Sequence, residues 1–71
     1  MIENEIVSRI PINDYMELTR INSIEKIYVN PKYVMKFETS TRFSGSVIYF
    51  TTGHHACVRE TIEQITAKIK R

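Results

Sequence analysis

Seventy-one residues with a formal net charge of +2 make one small domain, 42% hydrophobic and 25% charged, which is the balance of a globular chain and not of a disordered one. A chain this short buries only about 60% of the surface its unfolded form exposes, and its single cysteine, Cys57, excludes an intramolecular disulfide. No apolar run approaches the roughly 18 residues that span a membrane, and so small a net charge does not point to nucleic acid.

With disulfides closed off, self-association is the expected source of additional burial, and a homo-oligomer is predicted. The first residues, Met1-Ile2-Glu3-Asn4-Glu5, are acidic and lack the basic start and apolar core of a signal peptide. Together with the lone cysteine they predict a cytoplasmic protein that does not insert in membranes. Residues 1–17 carry Glu3, Glu5, Asp14 and Glu17 against Arg9, whereas the tail carries Lys68, Lys70 and Arg71 with no acid. Such ends can meet within or between subunits; more commonly both are solvated, the basic tail complementing the helix dipole.

Ile6-Val7-Ser8-Arg9-Ile10 alternates weakly, and Pro11, lacking an N–H, ends any central pairing. Residues 1–15 are therefore read as an N-terminal arm holding a short edge strand at best, and 16–71 as the domain proper. Tyr15 to Ile21 is the first clear strand, with Met16, Leu18 and Arg20 on one face. Asn22-Ser23 supplies turn chemistry. Lys26 to Asn30 returns, with Ile27 and Val29 on one face, and Asn30-Pro31-Lys32 turns again. Tyr33 to Thr39 is the third strand, whose Tyr33, Met35 and Phe37 form the better core face. Ser40 to Ser46 is a polar loop around Phe43 and Gly45.

Val47 to Thr51 is rich in β-branched and aromatic residues, the composition of a half-buried strand. Thr52-Gly53 breaks it, glycine reaching the positive φ of a tight hairpin. Ala56 and Val58 then alternate with His55, Cys57 and Arg59 in a second strand. Thr61-Ile62-Glu63-Gln64 fits a capping box at the start of a helix. Ile62, Ile65 and Ile69 make its apolar stripe. The prediction is an α+β fold: a small four- to five-stranded, mainly antiparallel sheet with one C-terminal helix docked on it.

The order of these segments is also informative. Met16-Glu17-Leu18-Thr19-Arg20-Ile21-Asn22 resembles the hydrophobic-x-Leu-Thr-Arg-Leu-Asn-Gly opening of the FlbD/SwrD family of small flagellar-operon proteins. Tyr28-Val29-Asn30-Pro31, Phe50-Thr51-Thr52-Gly53, Val58-Arg59-Glu60-Thr61 and Glu63-Gln64-Ile65 follow in the family's order, so the resemblance covers residues 16–71. Ser23 stands where the family often has glycine, Phe43-Ser44-Gly45 lengthens the middle loop, and residues 1–15 are extra. The resemblance implies a flagellar association and no enzymatic chemistry.

Among reactive groups, His54, His55 and Cys57 cluster at the hairpin. Imidazole and thiolate suit zinc, but a structural site needs four ligands and no further set lies near in sequence. No orienting carboxylate supports Cys57 and His55 as nucleophile and base. No metal, cofactor or catalysis is therefore expected, and the bland reading is a half-buried cysteine beside two turn histidines. Arg20, Arg42 and Arg59 are the other candidates, because guanidinium forks match carboxylate and phosphate groups. Within one chain they more often pair with Glu17, Glu38 or Glu60.

The predicted binding residues are thus Arg20, Arg42, His54, His55 and Arg59, with His55 and Arg59 sharing one strand face and one anionic group. The leading reading is a non-catalytic homo-oligomer that binds a protein partner. The alternatives are a bacterial or phage-encoded oligomer sequestering an anionic small molecule such as a nucleotide between subunits, and a DNA-binding sheet on which Tyr28, Phe43 and Tyr49 stack bases. No phosphate loop or RNA-recognition signature is present, and nucleic acid is the least favoured partner.

Overall fold

The computed structural model describes residues 6–69. The predicted contributions of Glu3, Glu5, Lys70 and Arg71 to an acidic front and a basic tail lie outside them. The elements are β1 (Val7–Ser8), β2 (Met16–Thr19), β3 (Lys26–Val29), β4 (Val34–Thr39), β5 (Ser46–Phe50), β6 (His55–Val58) and α1 (Ile62–Ile69), with a 3-10 turn at Pro31–Tyr33.

The turns follow the local chemistry. Asn22 takes a positive φ of 59°, and Ser23 Oγ accepts from the Glu25 N–H at 2.9 Å. Asn30 caps the 3-10 turn by accepting from the Lys32 N–H at 3.0 Å, with Pro31 opening it. Gly53 sits at φ 94° in the β5–β6 hairpin. At the helix start the capping box is reciprocal: Gln64 N–H donates to Thr61 Oγ1 at 3.2 Å and Thr61 N–H to Gln64 Oε1 at 2.9 Å.

The fold is α+β with one C-terminal helix, but six strands form two antiparallel sheets, ordered β1-β3-β2 and β4-β5-β6. The expected single sheet of four to five strands is corrected accordingly. A seam joins the two at the end of β2. Arg20 forms an antiparallel bridge with Val58, Arg59 N–H donates to Thr19 O at 2.9 Å, and Ile21 N–H to Cys57 O at 3.1 Å. The physical reason is burial. Eight residues of helix cannot cover the apolar face of a flat sheet, whereas two sheets meeting at a seam enclose it between them.

That enclosed core contains Leu18, Ile27, Val29, Ile48, Val58 and Ile65 with no exposed surface, together with Ile6, Met16, Phe50 and Ala56. The inward faces read from alternation hold for β2, β3 and β6. They fail in β4. Val34 pairs with Phe50 and Lys36 with Tyr49, so a bulge at Met35 shifts the register. One extra residue reverses the two-residue period. Met35 is 60% exposed, while Tyr33, Val34 and Phe37 pack on the core. At the other edge β1 pairs antiparallel with β3, Val7 opposite Val29.

Candidate functional site

Three open recesses share out the predicted residues. The largest, about 840 Å³, lies between the β1 segment and the β5–β6 hairpin. Ile27 and Phe50 form its floor, and Arg20, His54 and His55 line it together. Exposed Ile10 and Ile12 stand in the same wall. Glu25 is the counter-charge: Arg20 Nε lies 3.3 Å from Glu25 Oε1, and Arg9 Nε 3.2 Å from Glu25 Oε2. Arg20 thus pairs with Glu25 and not with Glu17, Glu38 or Glu60. Exposed pairs of this kind stabilise little, which leaves two guanidinium groups sharing one carboxylate at the rim. His54 Nδ1 sits 3.1 Å from Thr52 Oγ1, and both histidines are exposed.

A second recess of about 740 Å³ lies where the seam meets the helix. Glu60 anchors it from the inside. Its Oε1 accepts from Thr19 N–H at 2.9 Å and its Oε2 from Thr19 Oγ1 at 3.0 Å. Its own carbonyl accepts from the buried Ser46 Oγ at 2.7 Å. β2 and β5 are therefore both tied to the β6–α1 connection by one residue. Lys26 Nζ reaches Thr19 Oγ1 at 3.0 Å and approaches Glu17 at 3.7 Å. Arg59 and Lys68 also line this recess, and neither makes an ion pair among the described residues.

The third recess, about 390 Å³, is the outer face of β4-β5-β6, where Arg42 lies near Phe43, Val47, Tyr49 and Cys57, with His55 at the rim. The Lys36 Nζ is 4.9 Å from the Tyr49 ring centre. The Tyr49 hydroxyl titrates above its ordinary value, through desolvation first and then the Glu38 carboxylate 3.4 Å away.

Arg20, His54 and His55 are therefore brought together, Arg42 shares the outer-face recess with His55 alone among them, and Arg59 faces a recess with none of them. His55 and Arg59 do not share a pocket. β6 ends at Val58, so the strand period that would align Arg59 with His55 stops one residue short of it. Lys26 and Lys68, absent from the predicted set, join Arg59 from two other elements; no local pattern signals such a meeting. Among the described residues no three His, Cys, Asp or Glu side chains gather as a metal site requires, and no helix is long and apolar enough to cross a membrane.

The segments Leu18-Thr19-Arg20 and Val58-Arg59-Glu60-Thr61, on which the family resemblance partly rests, are the two sides of the seam. Comparison with known families agrees: the model for FlbD, described as flagellar and swarming motility proteins, matches residues 16–71. The chain belongs to the FlbD family. No curated protein and no solved structure matches it. In this FlbD protein the matched region begins at Met16 and so takes in the seam, the hairpin and the helix, while β1 precedes it.

Proposed function

We propose that this protein is a non-catalytic, self-associating binding module of flagellar or swarming motility, working in the cytoplasm by contact with a protein partner. The family supplies the setting. The mode of action rests on the recess beside the hairpin, where two histidines and a shared guanidinium pair rim an apolar floor. Such a surface suits a protein segment that presents an apolar side chain with an acidic neighbour.

In the native host, deleting the gene should impair swarming. A copy carrying Arg20→Ala, His54→Ala and His55→Ala should fail to restore it, although these exposed or half-exposed positions leave the melting transition cooperative. Restoration by the triple variant excludes the recess. Undiminished swarming after deletion excludes the motility role.

One observation favours a second reading, an anionic small molecule such as a nucleotide held by the oligomer. Lys26, Arg59 and Lys68 converge on the seam recess, and its one carboxylate, Glu60, is already bonded to Thr19. A nucleotide panel should then raise the melting temperature in a salt-sensitive way. Arg59→Ala should weaken that binding about tenfold or more, the loss of a charge-assisted hydrogen bond. A lowered melting point with unchanged affinity would instead assign Arg59 to stability.

A further inference from the structure

The outer edge of β4 has no strand beside it: among the described residues β4 pairs with β5 alone. Which backbone groups it offers follows from one bond. Ser40 N–H donates to Gly45 O, on the β5 side. Successive residues of a strand turn their N–H and C=O to opposite sides, so Glu38 and Lys36 also face β5, while Phe37 and Thr39 turn theirs outward. Lys36, Glu38 and Thr39 are exposed.

We propose that this edge pairs antiparallel with the same edge of a second copy, about a two-fold axis through Phe37. The charge pattern selects the register. An axis through Lys36 sets lysine against lysine, and one through Glu38 sets glutamate against glutamate. An axis through Phe37 places Lys36 opposite the second copy's glutamate and, by symmetry, Glu38 opposite its lysine. In that register the two Phe37 residues exchange the outward backbone hydrogen bonds. The Lys–Glu pairs then occupy the non-hydrogen-bonded positions, where side chains approach most closely.

Charges on an edge strand ordinarily discourage pairing; alternated as they are here, they are self-complementary. Neither residue makes an ion pair among the described residues. Their neighbour within the chain is Tyr49, at 4.9 Å from Lys36 Nζ to the ring centre and 3.4 Å from its hydroxyl to Glu38. The pairing joins two three-stranded sheets into one of six strands and supplies the burial that a 71-residue chain lacks. It rests on the self-association proposed above and names its surface.

The experiment is sedimentation equilibrium of the full chain with Lys36→Glu, Glu38→Lys and the double exchange, each checked for an intact melting transition when dilute. The parent protein should dimerise reversibly. Each single reversal places like charges opposite one another twice over and should weaken the dimer about tenfold, and the double exchange should restore it. A parent dimer indifferent to both single reversals, or not restored by the double exchange, overturns this edge and leaves self-association standing. A parent chain that stays at 8.4 kDa at several hundred micromolar overturns both.

Discussion

Replacing Ile65 by alanine should lower stability by about 2–5 kcal/mol, the usual range for truncating a fully buried isoleucine. Ile65 is the one buried residue of α1 and has no exposed surface. The helix is eight residues long, well below the roughly 12–15 at which an isolated helix holds in water. It persists because Ile65 enters the core, where α1 touches both β2 and β4. A domain of this size has a total stability of about 4–10 kcal/mol, so the single truncation removes a large share of it. Ile69 lies on the same stripe but is 40% exposed, and Ile69→Ala should shift the urea midpoint far less. Equal midpoints for the two variants would mean that the helix is not docked through Ile65.

The contrast between Ile65 and Ile69 shows what a local pattern conveys. Helical spacing identifies a stripe, but the depth of each residue within it depends on where the sheets end. Strand alternation was more informative, because a half-buried strand writes its inward face directly into its residues. Met16 and Leu18, Ile27 and Val29, and Ala56 and Val58 all lie inside as their spacing predicts. Hairpin neighbours were legible for a related reason, since Gly53 and the Asn22-Ser23 turn act over a few residues.

Met35 departs from its alternation because a bulge adds one residue without any compositional mark. The seam was invisible for a different reason. Its bridge joins Arg20 to Val58 and its side-chain tie joins Thr19 to Glu60, partners far apart in the chain with no shared periodicity. The same distance hides the seam recess, assembled from Lys26 on β3, Arg59 after β6 and Lys68 on α1. The hairpin recess was partly readable, because the tip of a tight turn displays its side chains whatever the rest of the fold does. What brings Arg20 to the histidines is again the seam, which sets the end of β2 against β6.

The seam also accounts for the second large effect expected. Gly45→Ala should destabilise by about 3 kcal/mol or more, at or beyond the upper end of ordinary overpacking. Gly45 reads in sequence as one small residue of a polar loop. In the fold it has a φ of 153°, and a Cβ built there runs into the carbonyl oxygen of Val58 and comes within 3.2 Å of Arg59 Cα. These obstacles are backbone and cannot swing aside. Val58 and Arg59 are held in the seam by the Arg20 bridge and the Thr19 carbonyl. Gly45 is equally fixed, since its carbonyl accepts from Ser40 N–H and the next residue, Ser46, is fully buried with its hydroxyl on Glu60 O. Gly53 provides the control. Its φ of 94° also disfavours a side chain, but nothing lies within 4 Å of the added Cβ, so Gly53→Ala should cost only the local strain, about 1–2 kcal/mol. Urea midpoints should therefore fall much further for Gly45→Ala than for Gly53→Ala. A Gly45→Ala protein no less stable than the Gly53→Ala control would mean that the β4–β5 loop does not cross so closely over the end of β6.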